Sequence, residues 1–305
     1  MREKLQLWLS PPDPSVNHNT ACKTQHSGTA TWFVQSTTFE DWKKNGSLLW
    51  IRGNRTSPSP VSFSTFLFTY VFFPISQPAR EKAFCGALFY TYFGDREFIF
   101  CISSAIIEDI KNMRKSRPLL IAYYYFDFKD AFKRGVRGLL TSLLFQLVDD
   151  SARCWDVLHE LYTSCRGGCE RPSDVALAGC LQRMLELPEQ LPIFLIVDAL
   201  DECPNTAGTP SAREEVLTFL EDLVGSNHSN LFICVTSRPE QDIQAVLNPL
   251  APASCRVSLH EEGGQREDIK SYVHSFVHKD RTMRRWREED RNLVITTLIE
   301  RAGGM

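Results

Sequence analysis

Two polar strings, each directly after an apolar run, hold the residues of this sequence that are best suited to chemistry. The first is IFLIVDALDECP, in which Asp198 ends the apolar run and Asp201 and Glu202 follow on the turn. Mg²⁺ is a hard cation held by one or two carboxylates and substrate phosphates, so Asp198 suits a metal ligand, directly or through water. Asp201 or Glu202 would then orient or deprotonate an attacking water. The alternative is a strand that ends in a solvated acidic turn, but the combination of Asp, a small residue, an apolar residue, Asp and Glu favours a functional site.

The second string is NLFICVTSRP, in which Thr236, Ser237 and Arg238 follow an apolar run. A hydroxyl and a guanidinium at such a strand end would sense a γ-phosphate, the guanidinium through two parallel hydrogen bonds. The alternative is an Arg238 that only pairs with a neighbouring acid. We expect this string to lie beside the first one.

The elements that must position these strings alternate between strand and helix. Apolar and aromatic runs predict strands at 47–53, 119–128, 192–200 and 230–239. Helical periodicity predicts helices at 104–114, within GLLTSLLFQLVDD, at 173–187 and within EEVLTFLEDLVG. This alternation predicts an α/β fold with a doubly wound, mostly parallel sheet. Open sheets of this kind bind ligands beyond the carboxyl ends of their strands, where Asp198 and Arg238 stand.

Composition and pattern also divide the chain. Residues 1–27 are polar with three prolines, which indicates an irregular arm or linker, and residues 28–238 form the predicted core. WFVQSTTFEDW predicts a helix that packs on this core. Residues 55–102 break the strand and helix pattern. The tail from Glu267 is helical in character, so 239–305 is predicted to be the start of a C-terminal helical subdomain.

The bulk properties exclude several classes of protein. A net charge of −3 does not indicate a surface for nucleic acid or anionic membranes. The ten cysteines are scattered and several lie in apolar runs, as in a reducing compartment, and Cys165 and Cys169 lack a second pair at metal-ligand spacing. Met1 starts no basic-then-apolar leader, which together with the cysteines predicts a cytoplasmic protein. The aromatic segment 61–75 would be a membrane anchor in one alternative, but it is shorter than the roughly 20 residues of a spanning helix.

These strings, in this order, resemble the NACHT family of signal-transduction P-loop NTPases, in the fungal form with a nephrocystin-type N-terminal domain. The resemblance runs from about Leu5 to the end of the sequence. It rests on KLQLWLSPPDPSVNHN, GTATWF, SLLWIRGN, SAIIEDI, the FDF strand, IVDALDE, TSRP and LHEEGGQREDIKSYV.

The resemblance implies a fold, cofactors and partners. Asp198 would match the Walker B aspartate and Arg238 the sensor position of a site for ATP or GTP with Mg²⁺. Such proteins are nucleotide-driven switches that form homo-oligomers on activation, and repeats at their C-termini, absent from this sequence, commonly detect a ligand. Fungal members are implicated in non-self recognition and regulated cell death.

One required motif is missing. A P-loop enzyme needs GxxxxGK[ST], whose backbone amides cradle phosphates and whose Lys reaches the β/γ oxygens, and no such string occurs in the sequence. The family pattern would place it directly after Gly53–Asn54. We hypothesise that 55–77 is a translated intron. If CGT encodes Arg55 and CAG encodes Gln77, splicing joins the first base of the Arg55 codon to the codons from Pro78 onward. The joined reading frame then permits Pro-Gly-Ser-Gly-Lys-Ser-Ile directly after Asn54. A second frame change before Ser103 or Ser104 would restore SAIIEDI.

Two interpretations therefore remain open. In the first, the chain is an NTPase switch whose phosphate-binding loop is hidden by a shifted frame, and the protein as written binds ATP weakly or not at all. In the second, the missing loop is genuine and the chain is a nucleotide-free scaffold or interaction module.

Overall fold

The computed structural model describes residues 1–24, 30–53, 95–206, 208, 210–259, 270–271, 274, 277–278 and 283–303. The predicted translated intron at 55–77, the candidate membrane segment at 61–75 and the expected place of the phosphate-binding loop lie outside these residues. Within the part that is described, no helix combines the length and the apolar character that crossing a bilayer requires.

Five strands build the central sheet in the described part of the chain. They are β1 Ser47–Arg52, β2 Leu120–Tyr125, β3 Ile193–Asp198, β4 Leu231–Ser237 and β5 Arg256–Ser258. The α-helices are α1 Arg2–Leu9, α2 Ser15–Thr24, α3 Thr31–Val34, α4 Thr37–Asn45, α5 Asp95–Arg114, α6 Val136–Asp150, α7 Ala152–Ser164, α8 Asp174–Leu185, α9 Ala212–Gly225, α10 Gln241–Leu250 and α11 Glu288–Gly303.

The strand order is β2-β3-β4-β1-β5, and every neighbouring pair is parallel. Parallel neighbours need crossover connections, which the intervening helices supply. The sheet confirms the predicted α/β class and is consistent with a doubly wound fold of the P-loop NTPase type. Its register sets Val197 of β3 beside Val235 of β4, so the carboxyl ends of these two strands are neighbours.

The strands are covered on both faces, which explains why they read as continuous apolar runs. On one face, Leu48 and Trp50 of β1 belong to a core with α1 and α6–α10. On the other, Leu49 and Ile51 belong to a second core with α3, α4 and α5. Two apolar cores around one sheet hold β3 and β4, and with them the candidate site, at a fixed position.

The four predicted strands are confirmed; the start of β1 agrees, and the other ends are one to three residues shorter than predicted. The helix predicted at 104–114 begins earlier, at Asp95. The helix predicted at WFVQSTTFEDW is two short helices instead. The second one, α4, has Ser36 as its N-cap, whose hydroxyl accepts a hydrogen bond from the Phe39 amide at 3.2 Å. A serine that satisfies an otherwise unpaired amide favours a new helix start over continuation of the first.

The prediction of an irregular arm at the N-terminus was wrong for residues 1–24, which form α1 and α2. The prolines lie between two helices, and each of these helices packs on the rest of the protein. They therefore do not mark a linker. Leu5, Trp8 and Leu9 lie on one face of α1 and are buried in the first core. The Trp8 indole N–H donates to the Glu170 carbonyl at 2.7 Å.

The sheet also continues past the predicted core boundary at Arg238. Strand β5 pairs with β1, so residues 256–258 belong to the same sheet as the candidate site. The division of the chain into a core and a helical subdomain stays a prediction, but the core includes more of the C-terminal part than 28–238.

The docking of α1 predicts a measurable stability effect. Trp8 is 8% exposed and its ring meets Tyr162 edge-on at 5.2 Å, whereas Leu7 on the same helix is 78% exposed. We expect Trp8→Ala to lower the free energy of unfolding by about 3–5 kcal/mol, and Leu7→Ala to change it by less than about 0.5 kcal/mol. Urea denaturation followed by circular dichroism measures both. Equal stability of the two variants would restore the interpretation of this segment as an undocked arm.

Candidate functional site

Asp198 is the centre of the candidate site. It ends β3 and is fully buried at the carboxyl edge of the sheet. Its Oδ1 accepts hydrogen bonds from the Ser103 hydroxyl of α5 and from the Thr236 hydroxyl of β4. The Thr236 oxygen in turn accepts from the Ala199 amide at 3.1 Å. Helix α5 and two strands are thus joined at one carboxylate.

The backbone turns sharply directly after Asp198. Ala199 has φ 57 and ψ 45, in the left-handed region that side chains with a Cβ adopt only at a cost. The chain then forms a short 3-10 helix at Leu200–Glu202. This turn carries Asp201 and Glu202 away from the strand axis, and it aims the Ala199 amide at Thr236.

Asp201 and Arg238 form an ion pair. The Arg238 Nε lies 3.4 Å from the Asp201 Oδ2, and the Arg238 amide donates to the Asp201 Oδ1 at 3.0 Å. The Asp201 side chain is 13% exposed and that of Arg238 is 30% exposed. Pairing with a neighbouring acid, the alternative considered for Arg238, is therefore the arrangement in this structure.

Glu202 and Ser237 are engaged elsewhere. The Glu202 carboxylate accepts from the Phe128 amide at 3.2 Å and so connects the turn after β3 to the loop after β2. The buried Ser237 hydroxyl accepts from the Trp50 indole N–H at 2.9 Å. Of the predicted site residues, the structure brings Asp198 and Thr236 into contact, pairs Asp201 with Arg238, and turns Ser237 towards β1.

Sequence reasoning missed two residues at this edge, Ser103 and Trp50. Ser103 lies one residue before the predicted helix start, and a serine at that place carries no signal by itself. Trp50 has an indole N–H inside an apolar strand, and such a buried donor needs a partner. That requirement was a usable signal, although it could not identify Ser237 as the partner.

The buried Asp198 carboxylate also affects the pKa values of a neighbouring tyrosine hydroxyl and a neighbouring cysteine thiol. Burial, and to a smaller extent the charge of Asp198, raise the pKa of the Tyr125 hydroxyl and of the Cys234 thiol. Both groups therefore stay protonated at neutral pH. Desolvation disfavours their anions, and a second negative charge beside Asp198 would add repulsion.

The donor set fits a hard cation, but the chain does not fit a nucleotide. A carboxylate and two hydroxyls are the oxygen ligands that Mg²⁺ prefers. However, Asp198 is enclosed and its Oδ1 already accepts from both hydroxyls. The 305 residues also contain no GxxxxGK[ST] to cradle phosphates. The site in this chain is closed by its own side chains.

Comparison with known families supports a relationship at the domain level. The sequence model of the family described as nephrocystin 3, N-terminal, matches residues 101–238. The matched segment begins in α5, ends at Arg238, and contains every residue of the candidate site except Trp50. The chain is therefore similar to a NACHT-associated domain over this segment. No curated protein matches the chain.

The hydrogen bonds of Thr236 predict that replacing its hydroxyl with a methyl group lowers the free energy of unfolding. Thr236→Val removes the donor to Asp198 and the acceptor of the Ala199 amide, and we expect a loss of about 2–3 kcal/mol in the free energy of unfolding. Thr236→Ser keeps the hydroxyl and should lose less. Thr141 is an equally buried threonine whose hydroxyl bonds only to carbonyls of its own helix.

Thr141→Val is therefore the matched control, with an expected cost of at most about 1 kcal/mol. Urea titration of the three variants and the parent protein measures the free energy of unfolding of each. Equal costs for the two valine variants would show that the hydrogen bonds of Thr236 do not stabilise the site.

Proposed function

We propose that this chain is the core of a NACHT-type signal-transduction switch whose site lies at the carboxyl edge of the sheet. The observation that carries the proposal is the joining of Asp198, Thr236 and the Asp201–Arg238 pair at the ends of neighbouring parallel strands. Open α/β sheets place their ligands at this edge. The family match covers the same residues.

In the product with a restored loop, Asp198 would hold Mg²⁺, and Thr236 and Arg238 would face the γ-phosphate of ATP or GTP. Ser237 would join them only after leaving the Trp50 indole N–H. Asp201 or Glu202 would position the water for slow hydrolysis. A phosphate would compete with Asp201 for the Arg238 guanidinium, and a contact with two alternative partners is the kind of element that switches use.

The wider role follows from the resemblance to the NACHT family. We propose that the switch controls homo-oligomerisation in the cytoplasm, with an unidentified ligand as its trigger. Fungal non-self recognition or regulated cell death is the process that such a switch would serve.

A second function has an observation in its favour. The Asp198 Oδ1 accepts from two protein hydroxyls, and Arg238 is paired with Asp201, so these groups have partners within the protein. A nucleotide-free scaffold with a degenerate NACHT fold would have this arrangement. The two functions predict different nucleotide affinities, and they predict a spliced transcript for the switch and an unspliced one for the scaffold.

The first experiment is to sequence the cDNA across codons 50–110. A spliced transcript that encodes GNPGxGKS would support the switch, whereas an unspliced one would favour the scaffold. Three proteins are then compared by titration with a fluorescent ATP analogue and Mg²⁺: the chain as written, the spliced form, and the spliced form with Asp198→Asn. Glu221→Gln in the spliced form is the control, because Glu221 is exposed on α9.

We expect saturable binding at micromolar concentration by the spliced form and its control, and weak or no binding by the chain as written. Asp198→Asn should weaken the Mg²⁺-dependent part at least about tenfold, because a contact to a charged group contributes roughly 1.5–3 kcal/mol when it is a hydrogen bond and the substitution removes the charge that would attract Mg²⁺. Micromolar binding by the chain as written would contradict the proposal that it lacks a phosphate cradle. A spliced form that does not bind would leave the scaffold as the function.

A further inference from the structure

A second cluster of polar side chains lies between α2 and α5, away from the Asp198 site. It consists of His18, Cys22 and Glu108, and we call it the α2–α5 cluster. The His18 Nε2 lies 2.9 Å from the Glu108 Oε1 and 3.6 Å from the Cys22 Sγ. One ligand atom from each residue lies within 4.8 Å of the others. His18 and Cys22 are four residues apart, so they share one face of α2.

We propose that the α2–α5 cluster is a zinc site with three protein ligands and a water in the fourth position. Imidazole nitrogen, thiolate sulfur and carboxylate oxygen are the ligands that Zn²⁺ takes in proteins. With metal–ligand bonds of about 2.0–2.3 Å, a tetrahedral site separates its ligand atoms by about 3.4 Å. The separations from the His18 Nε2, 2.9 Å and 3.6 Å, bracket that value, and the third pair of ligand atoms lies within 4.8 Å.

The second ring nitrogen of His18 supports this assignment. Its Nδ1 lies 3.1 Å from the Tyr125 hydroxyl oxygen, and with a metal bound a hydrogen bond from Nδ1–H to that oxygen would leave the Nε2 lone pair for the metal. Histidine ligands of metals are commonly fixed in this way by a partner on the other nitrogen.

Lys111 already places one cation beside the cluster. Its ammonium lies 3.0 Å from the Glu108 Oε1 and 3.1 Å from the His18 Nε2, within reach of two of the proposed ligands. The Lys111 side chain is 35% exposed and can turn into solvent when a metal takes its place.

Zinc binds cysteine as the thiolate and histidine as the neutral ring, so zinc binding at this cluster would release protons. The thiols of Cys165 and Cys169, near each other in sequence, belong to no comparable group of potential ligands among the described residues.

A metal here would hold α2 against the helix that reaches the Asp198 site. Glu108 and Ser103 are both on α5, five residues apart, which is about 7.5 Å along a helix axis. The proposal does not depend on nucleotide binding, because none of its ligands contacts Asp198.

The test uses the full chain, stripped with a chelator and desalted, and titrated with Co²⁺ and then Zn²⁺. Cobalt bound to a thiolate gives a charge-transfer band in the near ultraviolet that an aqueous or carboxylate-bound ion lacks. We expect one equivalent of Co²⁺ to produce this band and one equivalent of Zn²⁺ to remove it. Cys22→Ser should abolish the band, whereas Cys169→Ser, at an exposed thiol, should leave it unchanged.

Two further variants test the roles of single residues. Glu108→Gln should weaken zinc binding at least about tenfold, since loss of even an outer partner of a metal site costs that much. Lys111→Met should strengthen binding, because it removes the competing ammonium. A merely structural hydrogen-bond cluster would show no metal dependence in either variant.

A readout on the unmodified protein guards against variants that fail to fold. Iodoacetamide labelling, read by mass spectrometry, should show Cys22 protected by Zn²⁺ and Cys169 labelled to the same extent with and without it. Absence of the cobalt band in the parent protein, or equal labelling of Cys22 with and without zinc, would overturn the proposal.

Discussion

The structure depends on a buried carboxylate at the end of its central strands. A carboxylate removed from water is costly unless hydrogen bonds replace its hydration. Asp198 obtains them from Ser103 and Thr236, which belong to a helix on one face of the sheet and to the neighbouring strand. The need to satisfy this charge fixes α5, β3 and β4 relative to each other. The left-handed Ala199 is tolerated because its amide takes part in the same network.

The same constraint pairs the charged groups at this edge of the sheet with groups of the protein itself. Hydroxyls from the protein supply the hydrogen bonds to Asp198, and Asp201 supplies the counter-charge to Arg238. A site of this kind is balanced internally, so a ligand has to replace contacts that already exist. Internal balance is compatible both with a switch in its resting arrangement and with a scaffold, which is why nucleotide affinity separates the two proposals.

Strands β1 to β4 were predictable from sequence because they are largely buried and read as apolar runs. Strand β5 was not predicted, because it has three residues and only Val257 among them is buried. The placement of Asp198 beside Thr236 followed from the rule that parallel strands end at one edge. The helices at 1–24 were not predictable, because their anchors Trp8 and His18 contact residues more than 100 positions away. Ser103 and the Trp50–Ser237 contact were missed because their partners are also distant, at 95 and 187 positions along the sequence. The α2–α5 cluster also combines residues from distant parts of the sequence, and no local spacing could reveal it.

The position of β1 has a consequence for synthesis of the chain. This strand lies inside the sheet between β4 and β5, and Ser47 pairs with Phe232, 232 − 47 = 185 residues later. At roughly 5–20 residues per second, the ribosome takes about 10–40 s to make the partner strand. During that time the apolar run SLLWI has no native neighbour in the sheet. This run therefore stays unpaired until β4 has been made, and the five-stranded sheet is complete only after Ser258 has left the ribosome.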